Sequence, residues 1–196
     1  MTLKRNTIRF KNFDYSFPWV YFITICTYKK RPLLGWIKNN KMHYNVLGYV
    51  VDEELNKSIN IRKEIEIKES VIMPNHLHMI IFLHKTFEIN KCAVINNSSS
   101  DQMNLIPFMK PHSISSFISG FKSAVNSRLK RRINNKDETV IKILNKPPFY
   151  IKDLNRLNFW QRNYFDHIIK NEKDYMNCVN YIRNNPKNWF QDKYNV

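Results

Sequence analysis

The 196-residue chain has only 3 glycines and 3 cysteines, and half as many acidic as basic side chains. It also lacks any uninterrupted apolar run near the roughly 20 residues that a membrane-spanning helix demands. Each scarcity excludes something. Cys26, Cys92 and Cys178 are odd in number, widely separated and outside any CxxC pattern, which argues against both a disulfide framework and a cysteine zinc site. They read as reduced, structural thiols. The opening MTLKRNTIRFK has no apolar core of a secretory signal, so a cytoplasmic protein is expected. No GxxxxGK[ST] phosphate loop is present, so ATP-driven chemistry of that kind is not expected.

What the chain has in excess is positive charge. Lys and Arg number 32 against 16 Asp and Glu, a formal net charge of +16. A field of that sign and size favours polyanionic partners, of which nucleic acid is the usual one. With 43% hydrophobic and 14% aromatic residues the chain can bury a substantial core, and its length suits one domain spanning 1–196.

The pattern along the chain predicts an α+β fold. WVYFITICTYKK reads as a β-branched and aromatic strand, and Asn39-Asn40 between short apolar runs marks a hairpin. In NVLGYVVDEELNKSINI, Leu47, Val51, Leu55 and Ile59 recur every four residues on one helical face. IEIKESVIM and HLHMIIFL form two strands joined at Pro74-Asn75, and the second, apolar on both faces, is a central strand. From about 87 to 112 the pattern dissolves into a polar stretch expected to be a mobile insertion. Ser113 then caps a helix with the stripe Ile114, Phe117, Ile118, Phe121, Val125 and Leu129. A second irregular stretch follows, and a final helix runs from about 171 to 185, stopped by Pro186. The order β-β-β-α-β-β-α-α implies an antiparallel sheet with packed helices.

Within VIMPNHLHMIIFL, His76 and His78 are two apart and point to one face of the strand, with Leu77 on the other. Two readings are open: adjacent metal ligands on a rigid strand, or two satisfied core histidines. Tyr181 and Asn185 likewise share a helical face four residues apart. Asn185 can supply an amide oxygen as a third ligand or cap the helix, and Tyr181 either stands beside such a site one turn away or is an aromatic packing residue. His167 reads as structural. Tyr164 precedes the final helix and has no polar neighbour one turn away, and Tyr175 lies about two turns before Tyr181, too far to share its position.

The segments combine into a resemblance. MPNHLHMI looks like the HUH signature (His, bulky apolar residue, His) of single-tyrosine nucleases. WQRNYFDHIIKNEKDYMNCVNYIRNNPKNW is similar to the C-terminal signature of REP-associated tyrosine transposases, and YFITICTYKKRPLLG resembles their first strand and hairpin. The match runs in order from about Tyr21 to Trp189, broken at 87–112 and 134–156. It implies a ferredoxin-like (RRM-like) antiparallel sheet with His76 and His78 as metal ligands, Asn185 as the third ligand and Tyr181 as nucleophile. The implied cofactor is Mg²⁺ or Mn²⁺. The implied activity is a metal-dependent single-stranded DNA endonuclease and strand transferase acting near hairpins (REP-like palindromes) through a 5′-phosphotyrosine. A monomer is preferred, with a dimer as the alternative.

DNA contacts are expected from Lys4, Arg5, Arg9 and Lys11 near the N-terminus and from Lys122, Arg128, Lys130, Arg131 and Arg132 on the capped helix. A competing reading is a domesticated hairpin or single-stranded DNA-binding protein that no longer cuts. A third is a related HUH enzyme of plasmid replication or conjugation, weakened by the lack of a helicase or other accessory domain.

Overall fold

A computed structural model of the protein describes residues 16–85, 110–145 and 159–195. The opening strand β1 (Val20–Cys26) leads through a hairpin, β2 (Gly35–Lys38) and β3 (Lys41–Tyr44), into helix α1 (Val46–Ile61). Strands β4 (Ile65–Ile72) and β5 (His76–Leu83) follow, then helices α2 (Ile114–Asn134) and α3 (Glu138–Leu144), strand β6 (Phe165–Ile168) and helix α4 (Glu172–Asn184). The main sheet has the order β4-β5-β1-β6, and its three pairings are all antiparallel. With the β2–β3 hairpin set aside, β1-α1-β4-β5-α2-β6 is the ferredoxin-like arrangement, so the expected fold class holds.

Local chemistry accounts for the elements. Asn39 and Asn40 both adopt positive φ, 52° and 59°, the backbone that a two-residue hairpin of this kind demands and that asparagine tolerates. The Asn45 side chain caps α1 by accepting from the amides of Leu47 and Gly48. Gly48 is forced by a close approach: a Cβ there would stand 2.2 Å from the Leu34 carbonyl oxygen. Ser113 and Ser116 close a reciprocal capping box at the start of α2.

The two faces of the sheet are covered differently. On one, Tyr21, Ile23 and Ile25 of β1 and Leu77, Met79, Ile81 and Leu83 of β5 pack with α1, α2 and α3 in one apolar cluster. All six residues of the expected α2 stripe are buried there, joined by Ile133. The other face carries a smaller cluster of Phe22, Ile80, Ile169, Val179 and Ile182, formed with α4.

Two expectations are corrected. The stretch after residue 134 is not wholly irregular: Asp137 accepts a hydrogen bond from the Val140 amide and caps the seven-residue α3, whose Val140 and Leu144 are buried. The edge strand β6 was also missing from the predicted order, since FDHI carries no alternation of apolar and polar residues to reveal it. The polar stretch 87–112 lies, up to residue 109, outside the described residues. Among the described residues, no helix is long and apolar enough to cross a membrane.

Candidate active site

The site lies on the α4 face, at the end of the sheet where β5 begins. Strand alternation puts His76 and His78 side by side with ring centroids 4.4 Å apart, and both are buried. Each ring is held from behind through Nδ1. For His78 the partner is the hydroxyl of Thr24, 2.8 Å away and directly opposite in the β1–β5 register. For His76 it is Oδ1 of Asn75, at 2.7 Å.

Asn75 settles the tautomer of His76. Its Nδ2 donates to the carbonyls of Lys30 and Tyr194, at 2.9 and 2.6 Å, so the amide cannot be turned around and Oδ1 must accept. His76 Nδ1 therefore carries the proton, and Nε2 presents a lone pair forward. Burial lowers the His76 pKa to about 4, opposed by the Asp192 carboxylate, aided by Lys30 and Lys193, and opposed also by the Asn185 amide. Burial also lowers His78 well below its ordinary value, with His76 and Lys193 acting in the same sense. Both imidazoles are neutral at physiological pH, as metal ligands must be.

Helix α4 brings the remaining groups. Tyr181 packs edge-on against His78 and Phe22, at centroid distances of 5.1 and 5.9 Å, and its hydroxyl donates to Asp192 Oδ2 at 3.3 Å. Asn185, one turn on and buried, donates from Nδ2 to the same carboxylate oxygen at 2.8 Å. Burial, and then the Asp192 charge and hydrogen bond, raise the Tyr181 phenol above its ordinary pKa. A cavity of about 370 Å³ opens beside Tyr181, lined also by Asn185, Asn188, Gln191, Asp192 and Lys193.

Three buried polar atoms here lack a hydrogen-bond partner among the described residues: Nε2 of His76, Nε2 of His78 and Oδ1 of Asn185. Each unsatisfied buried polar group costs about 1–3 kcal/mol, so their concentration at one place marks a candidate binding site. Donor atoms of His76, His78 and Asp192 lie within 4.8 Å of one another. Two neutral imidazole nitrogens with carboxylate and amide oxygens fit a divalent cation; Mn²⁺ and Mg²⁺ are admitted, as is Zn²⁺ on ligand type alone.

Of the residues singled out from sequence, His76, His78, Tyr181 and Asn185 are brought together. Sequence reasoning missed Asp192, which touches both Tyr181 and Asn185, and the supporting Thr24 and Asn75. Asp192 is an isolated acid in WFQDKY, and its only sequence signal is its place a few residues after the helix stop. Tyr164 is buried in the opposite core and bonds Ser115 at 3.0 Å, while Tyr175 packs against Phe82. His167 has a partner that sequence did not reveal, the Asp174 carboxylate.

The basic side chains of α2 lie across the sheet from this site. Lys122 donates to the carbonyls of Gln161 and Asn163, Arg128 pairs with Glu53 and Glu54 of α1, and Arg132 pairs with Asp137. Lys130 and Arg131 are exposed. Lys4, Arg5, Arg9 and Lys11 lie outside the described residues.

Comparison with known proteins adds a sequence relative and a structural one. A protein of Haemophilus influenzae, itself described only as uncharacterized, is 33% identical over 189 residues, 96% of this chain and 92% of that one. The chain belongs to that protein's family. No protein-family model matches its sequence. Among solved structures, a REP-associated tyrosine transposase bound to a REP hairpin is similar over 94% of this family member and 77% of the transposase, with a TM-score of 0.53 and 19% identity. The resemblance read from MPNHLHMI and the C-terminal segment thus holds at the level of fold.

Proposed function

We propose that the protein is a divalent-metal-dependent single-stranded DNA nuclease and strand transferase, in which Tyr181 attacks a backbone phosphate near a DNA hairpin. The observation that carries this reading is the convergence of three buried polar atoms, unpartnered among the described residues, with the Asp192 carboxylate beside the Tyr181 hydroxyl. The similar transposase is described as bound to a REP hairpin, which supports a hairpin as the DNA partner.

The chain's own residues supply most of the chemistry. The Tyr181 oxygen forms a bond to phosphorus while the bond from phosphorus to the 3′ oxygen breaks, leaving a 5′-phosphotyrosine and a 3′-hydroxyl. One phosphodiester replaces another, so no nucleotide triphosphate is consumed. Asp192 accepts the phenolic hydrogen bond and fixes the direction of the oxygen. An unperturbed phenol is only about 0.1% ionised at pH 7, a bias of roughly 4 kcal/mol against the phenolate, and burial increases that bias here. His76, His78, Asn185 and Asp192 would hold a divalent cation, which when bound supplies positive charge against the developing charge on the phosphate. Lys30 and Lys193 flank the histidines and add to the anion-attracting field.

The test is intact mass after incubation with single-stranded hairpins from the DNA flanking the gene, with Mn²⁺ added. A DNA adduct on the wild-type protein, absent from Tyr181→Phe and from His76→Ala, is the expected result. Tight binding without any adduct would instead favour a hairpin-binding protein that does not cut.

A further inference from the structure

A second group of potential ligands joins β6 to α4, on the N-terminal side of Tyr181 along the helix. His167 is on β6, paired in register with Phe22, whose side chain belongs to the α4-facing cluster. Asp174 and Cys178 are four residues apart on α4, so one helical face presents both. Donor atoms of His167, Asp174 and Cys178 lie within 4.8 Å of one another. The His167 Nε2 is 2.9 and 3.0 Å from the two oxygens of Asp174. That spacing is an imidazole-to-carboxylate hydrogen bond in the metal-free protein, and a cation would take the place of the bridging hydrogen with its nitrogen and oxygen ligands at about 2.0–2.2 Å.

We infer that His167, Asp174 and Cys178 form a second metal site, for a borderline cation of the Zn²⁺ class, independent of the histidine pair on β5. The donor set is what separates the two. The site beside Tyr181 offers nitrogen and oxygen, whereas this one adds a sulfur, and thiolate with imidazole and carboxylate selects Zn²⁺ over Mg²⁺ or Mn²⁺. Three protein ligands leave a fourth position for water, which the partial exposure of His167 and Asp174 allows.

The ligands are already oriented. Asp174 Oδ2 accepts the Lys170 amide at 3.0 Å, and the Asp174 amide donates to Asn171 Oδ1 at 2.9 Å, so the carboxylate is fixed by the backbone at the start of the helix. Cys178 packs against the Phe22 and Ile80 cluster. It is a free thiol, and on coordination its proton passes to solvent as the thiolate binds. Because β6 supplies one ligand and α4 two, the bound cation fastens the helix that carries Tyr181 to the edge of the sheet.

Cobalt(II) reads this site without any DNA. Metal-free full-length protein titrated with Co²⁺ is expected to develop a sulfur-to-cobalt charge-transfer band in the near ultraviolet, retained in Cys26→Ser/Cys92→Ser and lost in Cys178→Ser. His167→Ala should weaken Co²⁺ binding by more than the ten- to hundredfold typical of an outer-shell partner. A measurement on the wild type alone guards against a variant that fails to fold. Zn²⁺ should slow alkylation of Cys178 by iodoacetamide, followed by peptide mass, by about tenfold or more, since the metal-bound sulfur is masked. No band in the wild type, a band that survives Cys178→Ser, or an unchanged alkylation rate would each overturn the site.

Discussion

The two faces of the sheet have been built to different rules. Among the described residues, the face toward α1, α2 and α3 buries 27 in one apolar cluster, whereas the face toward α4 buries only five and places polar groups beside them. Burial of apolar area is the main favourable term in folding, so most of the stability comes from the first face. The second bears the cost of His76, His78 and Asn185, each with a buried polar atom that has no partner among the described residues. Strand β5 serves both: its odd-numbered residues Leu77, Met79, Ile81 and Leu83 face the large cluster, and His76 and His78 face α4. The difference teaches that a central strand can carry stability and chemistry on alternate side chains.

The largest effect should come from the α4 face without touching the fold. Tyr181→Phe removes the oxygen proposed to attack and leaves a ring of the same shape against Phe22 and His78, so covalent adduct with DNA should disappear while the melting temperature stays essentially unchanged. Adduct formation by the phenylalanine variant would assign the nucleophile elsewhere. The converse break is Phe121→Ala, on the opposite face and 1% exposed, which should cost about 3–5 kcal/mol in denaturant unfolding. Adduct yield per folded molecule should be retained. A selective loss of chemistry in that variant would show that the faces are coupled.

An acid titration distinguishes the faces next. His76 has its pKa lowered to about 4 from the ordinary 6.5, so between those values the unfolded chain binds a proton that the folded metal-free protein does not. Stability is therefore full above pH 6.5 and falls as pH drops toward 4, by about 3 kcal/mol at most from this group. His78 shifts in the same direction and adds to the loss. Chemical unfolding of metal-free protein at pH 7 and pH 4.5 measures it, and His76→Gln should flatten the slope. A slope unchanged in that variant would place the acid sensitivity outside the site.

The large face was also the easier to read. The stripe from Ile114 to Leu129 repeats at helical spacing and Ser113 marks its start, so sequence alone defined the core of α2. His76 and His78 were visible because a two-residue period fixes their shared side of a strand. What was hidden depended on contacts between distant segments. Asp192 reaches the site only because the chain turns back after Pro186, and nothing periodic announces that turn. The three-residue turn Trp189–Gln191 is too short to leave a pattern. His167 and Asp174 are separated by a change from strand to helix, which no single repeat bridges. The carboxylate partners of Arg128 are 74 and 75 residues away, on α1.

Those partners make α2 the place where the comparison yields its finest test. Arg128 is only 17% exposed in its side chain and is engaged by Glu53 and Glu54, which ties α2 to α1. Arg128→Gln should cost about 1 kcal/mol in stability, near the upper end for partly exposed ion pairs. It should leave the salt dependence of hairpin binding unchanged. Lys130 and Arg131 point into solvent, across the sheet from Tyr181, and a hairpin seated at the site can reach them only by wrapping the edge of the domain. If α2 contributes phosphate contacts, Lys130→Gln/Arg131→Gln should reduce the slope of log affinity against log salt by about 2 and weaken all sequences alike. Adduct formation at saturating DNA should be unaffected, because neither side chain is on the face that holds Tyr181. A slope that does not move would confine the DNA to the α4 face and leave α2 a purely structural helix with a solvated basic surface.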